Sequence, residues 1–173
     1  MARSDALAAL RGQRATRWFT AEPVADDLVT SVLEAARWTG SARNRQPWRF
    51  AVVTAAGVRT GLARLGAYAG HLAGAPVVIG LAADARFADA EFDAGRAAQT
   101  LMLAADALGL GTCPATFFPE ANAAAATRLT GFAPPWRVRT AIALGHPAPA
   151  PPDGTRAVPA GRLPLAELRH DIA

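Results

Sequence analysis

Arg14 and Arg17 stand three residues apart in the run Gln13-Arg14-Ala15-Thr16-Arg17-Trp18-Phe19, so on a turn both guanidinium groups can reach one anionic ligand. Guanidinium forks match phosphate oxygens two at a time, which makes the pair a candidate phosphate clamp. On spacing alone, two solvated surface arginines account for the pattern as well. A second polar cluster, Ser41-Ala42-Arg43-Asn44-Arg45-Gln46, precedes Pro47-Trp48-Arg49-Phe50. Ser41, Asn44 and Gln46 offer short hydroxyl and amide groups able to hydrogen-bond a polyol chain or a heterocycle edge. Trp48 and Phe50 are suited to anchor the strand that follows in a core.

The charge distribution points the same way. All of the positive charge is arginine, 18 residues with no lysine, so lysine Schiff-base chemistry is excluded. Eight arginines (Arg3, Arg11, Arg14, Arg17, Arg37, Arg43, Arg45, Arg49) fall in the first 49 residues against five acids, which favours an anionic partner there. A nucleic-acid partner is disfavoured, because the arginines are not interleaved with exposed aromatic residues and no recognition motif is present.

Other reactive side chains read as structural. Cys113, the single cysteine, lies in an apolar stretch and behaves as a small core residue, with no disulfide to form. His71, His146 and His170 are scattered, with no partner at metal-ligand spacing, so no metal is expected. Asp89, Glu91 and Asp93 open a long helix, where its dipole favours acids. Trp18, Trp38, Trp48 and Trp136 read as core or interface anchors.

The elements that must position these groups alternate irregularly. Ser4 is a candidate N-cap for a short helix ended by Gly12, and Pro23 with Asp26 starts a second helix to about Thr39. Strands are expected at Arg49 to Thr54, Pro76 to Ala83, Thr112 to Phe118 and Arg137 to Leu144. Helices are expected at Arg59 to Leu65, Phe87 to Leu108 and Pro119 to Leu129. The helix from Phe87 to Leu108 has only a narrow polar side, so it is central or lies at a subunit interface. These elements give an α+β chain of mixed α/β layers, with a central four- to five-stranded sheet flanked by helices. Residues 1–173 form one domain, with 147–173 a Pro-rich C-terminal arm that wraps over a surface. A Rossmann site is excluded, because Gly109-Leu110-Gly111 follows a helix and precedes a strand.

Four stretches then fall into one order. Arg14-x-x-Arg17-x-Phe19 is followed by Ser41-x-x-Asn44-x-Gln46-Pro47-Trp48-x-Phe50. Next come Asp93-Ala-Gly-Arg-Ala-Ala-Gln99 through Gly109-Leu-Gly-Thr-Cys113, then Arg137 to Pro147, and last Gly161-Arg162-Leu163-Pro164-Leu165. Together they resemble the nitroreductase family of flavoenzymes over nearly the whole chain. The resemblance implies a homodimer holding FMN at the subunit interface and taking electrons from NADH or NADPH to a small acceptor such as a nitroaromatic or a quinone. An oxidase or dehydrogenase of a specialised metabolite and a non-catalytic flavin-binding protein are the alternatives on the same fold.

The resemblance also assigns roles. Arg14, with the adjoining Ala15, and Arg162 would meet the phosphate, and Arg17 would lie toward the pyrimidine end of the flavin. Ser41, Asn44 and Gln46 would come from the partner subunit. Backbone amides at Thr116 and Phe117, after Pro114, would face flavin N5. No side chain is required as a catalyst, since the flavin carries the chemistry. Gln13 and Ala15 depart from the family's usual Arg-Arg-Ser-x-Arg, Ala67 and Gly70 replace a common Asn and Lys, and Thr116 replaces a common Glu.

Composition fits this picture. A chain of 173 residues with 51% hydrophobic and 18% charged residues suits one compact unit. The lone cysteine and a first segment without a signal-peptide layout lead to the expectation of a cytoplasmic protein. No apolar stretch approaches the roughly 20 residues needed to span a bilayer, so no membrane association is expected.

Overall fold

The computed structural model describes residues 3–152 and 161–172. Part of the Pro-rich arm expected at 147–173, residues 153–160, lies outside the described residues. Helix α1 spans Arg3–Gly12 and α2 spans Asp26–Arg37, followed by a 3-10 turn at Ala42–Asn44. Strand β1 (Trp48–Val53), α3 (Ala56–Ala63), α4 (His71–Gly74) and β2 (Val77–Asp84) lead to the long helix α5 (Ala90–Ala107). Then come β3 (Gly111–Thr116), α6 (Glu120–Leu129), β4 (Trp136–Gly145) and the short α7 (Leu165–Leu168). Helix α1 begins before Ser4, so that residue does not cap it, and α4 has no forecast in the sequence because four residues carry no period.

Among the described residues the sheet has four strands in the order β1-β2-β4-β3, every neighbouring pair antiparallel. The all-apolar run of β2 is explained by its central place, since all eight of its residues are buried. Side chains alternate across the pleat. Val77, Ile79, Leu81 and Ala83 face the core under α2 and α5 with Val32, Trp48, Leu101 and Met102. Val78 and Ala82 face a second core under α3, α4 and α6 with Leu62, Leu72, Phe117 and Ala126.

One irregularity re-aims a side chain. Leu81 pairs with Thr140 but Ala82 pairs with Val138, which leaves Arg139 of β4 unopposed by β2. Such a bulge reverses which residues face each core: Val138 and Ala141 lie in the second core, whereas Ile142 and Leu144 lie in the first. The Arg139 side chain turns outward, bonds the Glu120 carboxylate at 2.7 Å and stacks 4.8 Å from the Phe118 ring.

Helix α5 starts three residues later than its composition suggests. Phe87 to Asp89 form the approach, with Phe87 packed on the first core. The helix buries Ala94, Ala97, Ala98, Leu101 and Ala105, small residues that let it lie close to the sheet and α2. No helix among the described residues is long and apolar enough to cross a membrane.

Candidate functional site

Strand β3 is an edge of the sheet, and its outer side is where the first arginine segment docks. Thr16 N–H donates to Thr112 O at 2.7 Å, and Ala15 forms a parallel bridge to Thr112. The approach requires Gly111, because a Cβ there would meet three Thr16 side-chain atoms at 2.7–2.8 Å. The segment continues along the chain that leaves β4: Thr20 N–H donates to His146 O, and Ala148 N–H to Trp18 O, both at 3.0 Å. Arg14 and Arg17 are thereby fixed beside the open edge.

Both cations are exposed, and neither has a carboxylate within ion-pair distance among the described residues. Among the described residues Arg14 donates only to the backbone oxygens of Arg11 and Gln13, at 2.5 and 2.9 Å. Arg17 lines a cleft of about 530 Å³ with Trp18, Tyr68, His71, Cys113 and Pro114. An adjoining cavity of about 330 Å³ continues along β3 past Pro114, Thr116 and Phe118. The two share Ala67 and Tyr68, so they form one trough of the size that holds small organic ligands.

The backbone on this edge is selective. Phe117 N–H donates to Arg139 O at 2.8 Å and its side chain is fully buried. Its amide is therefore committed to the sheet and is not open to a ligand. Antiparallel pairing alternates, so the preceding residue points its polar groups the other way, and Thr116 N–H lies on the open edge. Gly66 packs there, its position allowing only 3.1 Å between an added Cβ and Thr116 O. Of the two expected amides, Thr116 alone remains available.

His71, which sequence spacing left without a role, sits in this trough. Its Nδ1 lies 3.1 Å from Tyr68 O and its Nε2 3.2 Å from Cys113 O, so the ring ties α4 to β3. Burial is the largest influence and lowers its pKa; the two carbonyls oppose this, and the Arg17 charge adds to the lowering. A depressed folded-state value means that the folded protein prefers the neutral ring. The stabilisation this gives is present above the ordinary value of about 6.5 and is lost as pH falls through the lowered one. The protein is expected to lose stability between pH 7 and 5, and His71→Gln to lose less; equal losses in thermal unfolding at the two pH values would refute this. Burial also raises the Cys113 thiol, which is 3% exposed and thus a core residue as expected.

The Ser41 to Gln46 loop lies elsewhere on the chain. Gln46 borders a separate depression with Leu33, Arg37 and Arg49, and none of the three loop residues lines the Arg17 trough. Ser41 Oγ accepts Gln46 N–H at 2.8 Å, and Gln46 Nε2 donates to Asn44 Oδ1 at 3.3 Å. Arg43, Asn44 and Gln46 have φ of 53°, 52° and 50°. A non-glycine residue in that region costs about 1–2 kcal/mol, less for Asn, so the loop must be held from outside.

The hold comes from α5. Asp93, taken from sequence as a dipole partner like Asp89 and Glu91, is 2% exposed and accepts Ala42 N–H at 3.0 Å. Asp89 pairs with Arg45, which also stacks 4.5 Å from the Phe87 ring. An acid interrupting a stripe of small apolar residues, with Arg96 three residues on, was the available signal. Arg162 is exposed and, among the described residues, donates to Gly161 O at 2.8 Å. Trp38 is 76% exposed, stacked by Arg37, and is not a core residue of the chain. Among the described residues no group of three or more His, Cys, Asp or Glu side chains is placed to hold a metal ion.

Comparison with known proteins places this geometry. The sequence model of the nitroreductase family matches residues 10–146. A Methanothermobacter thermautotrophicus protein named for NADH dehydrogenase and NAD(P)H nitroreductase activity is 28% identical over 161 residues, 90% of this chain and 83% of its own. The crystal structure of a Desulfovibrio desulfuricans nitroreductase-like protein in complex with FMN is 33% identical, with 96% of each chain covered and a TM-score of 0.80. A Clostridium difficile FMN-dependent nitroreductase, 23% identical with 82% of this chain and 87% of its own covered, shares the fold at a TM-score of 0.76.

Proposed function

Because the chain belongs to the nitroreductase family, we propose that it is an FMN-dependent oxidoreductase that carries electrons from NADH or NADPH to a small acceptor, a nitroaromatic or a quinone, by a ping-pong route. The observation that carries this is the trough on the β3 edge, where Arg17 stands without a carboxylate partner beside an apolar shelf and the free Thr116 N–H. The residues present fit the group: Trp18, Tyr68 and Pro114 offer flat apolar surface, and Arg14 offers a guanidinium for the phosphate. Relatives whose names specify NAD(P)H and FMN support the same assignment.

Bound FMN supplies a hydride acceptor and donor at its N5 atom. Thr116 N–H is the donor available to N5. Arg17 would supply a fixed positive charge toward the pyrimidine end, the kind of group that favours a reduced, more negative flavin. His71 and Gly66 keep the 66–71 segment against β3, where it forms one wall of the trough.

Within one chain the Ser41 to Gln46 loop and the trough are separate, which supports a homodimer in which that loop completes the partner's site. In the same arrangement the 147–173 arm brings Arg162 to the phosphate, and the protein acts in the cytoplasm. An obligate interface of this kind buries more than about 2,000 Å².

The purified protein should carry flavin absorbance that NADH or NADPH bleaches without oxygen and an acceptor restores. Flavin that stays oxidised with both nicotinamides would leave a binding protein without turnover. Sedimentation of a stable monomer retaining FMN would overturn the shared site.

Arg17→Gln tests the electrostatic role. The variant should lower the midpoint potential by a few tens of millivolts, since about 30 mV corresponds to roughly 1.4 kcal/mol for two electrons, with oxidised FMN still bound. Loss of FMN with an unmoved potential would move Arg17 into the phosphate clamp.

A further inference from the structure

The Ser41 to Gln46 loop is held in its left-handed conformation from the start of α5, where Asp89 pairs with Arg45 and Asp93 reaches the backbone. Asp93 Oδ2 accepts Ala42 N–H at 3.0 Å, and Asp93 Oδ1 faces Arg96 Nη1 at 3.4 Å. The same Arg96 nitrogen donates to Gly40 O at 2.7 Å. One acid–base pair therefore fixes the backbone on both sides of Ser41. Its hydroxyl in turn accepts Gln46 N–H and closes the loop.

A carboxylate is costly to bury, and the helix dipole alone does not require it. Glu91 stands in the same first turn with its side chain half exposed and facing Arg139, so an acid at this end of the helix does not need the full burial seen at Asp93. What burial adds at Asp93 is the pair of specific contacts to 40–42. Left-handed backbone at Arg43 and Gln46 persists only where such contacts over-determine it, and strain of this type collects at ligand clamps.

We propose that Asp93, braced by Arg96, is a positioning residue for cofactor binding: it sets the loop geometry in which Ser41, Asn44 and Gln46 meet FMN. This rests on the flavin site described above. It adds a buried residue that acts through the backbone and touches no ligand.

The test is FMN titration of the apoprotein, followed by flavin fluorescence, beside thermal unfolding of the same apoproteins. Asp93→Asn should weaken FMN by about tenfold, the equivalent of one charge-assisted hydrogen bond. Adding Arg43→Gly, which removes the penalty of the left-handed residue, should recover much of that affinity without restoring the melting temperature. If Asp93→Asn does not fold, Arg96→Gln should show the same loss and the same recovery. Gln46→Ala separates the two levels of inference. If Gln46→Ala weakens FMN but Asp93→Asn lowers only the melting temperature, Asp93 supports the fold alone and the proposal fails. A loss that Arg43→Gly does not recover also overturns it. If Gln46→Ala leaves affinity unchanged, the loop does not touch flavin, and the shared site falls with the proposal.

Discussion

Replacing Arg14 or Arg162 with alanine is expected to weaken FMN binding by about 1.5–3 kcal/mol each, roughly ten- to a hundredfold in Kd. Arg14 is exposed, and among the described residues its hydrogen bonds go to backbone oxygens of its own turn, so its removal leaves no buried side chain there unpaired. The loss therefore reports the ligand and not the fold. Arg162, also exposed, makes a single hydrogen bond among the described residues, to Gly161 O. Because the two would grip one phosphate, the double variant should lose less than the sum of the single losses. Equilibrium dialysis of FMN against the three apoproteins measures this. Unchanged affinity in both single variants would put the phosphate elsewhere.

Leu101→Ala is expected to cost about 2–5 kcal/mol of folding stability, the range for a fully buried leucine whose cavity cannot close. Leu101 is 0% exposed in the middle of α5, surrounded by α2 and the sheet. Its neighbours on the helix, Ala97, Ala98 and Ala105, are too small to fill the gap. Urea unfolding of the native and variant proteins gives the difference, and a loss below about 1 kcal/mol would mean that α5 settles inward to refill the space.

Long periodic or continuously apolar segments were legible in the sequence. The fully apolar β2 reads as a strand covered on both faces, and the narrow polar side of α5 reads as a helix that is central or at a subunit interface; within the chain it is central. Elements fixed by tertiary contact were not legible. The four residues of α4 carry no period, and the extra residue Arg139 in β4 cannot be told from an ordinary strand position. The same division runs through the candidate site. Arg14, Arg17 and the Ser41 to Gln46 loop declare themselves by residue type and spacing. Asp93 and His71 do not, since their partners are backbone atoms: the Ala42 amide, 51 residues away, and the Cys113 carbonyl, 42 residues away. The distinction between Thr116 and Phe117 is likewise a matter of pairing parity along β3 and β4, which depends on register and not on either side chain.

Helix α5 does more than fill the core. Its first turns brace the loop at 40–46 through Asp93 and Asp89, and its last turn delivers the chain through Gly109 into β3. Eighteen residues of α-helix make a rod about 27 Å long. In the proposed dimer, whose loop would serve the opposite subunit, each such rod would have one end near its own site and the other near its neighbour's. A packed helix shifts as a unit, because a close-packed interior does not stretch. The same rigid helix that braces the 40–46 loop therefore also sets where β3 begins, so the brace and the β3 edge are positioned by one element.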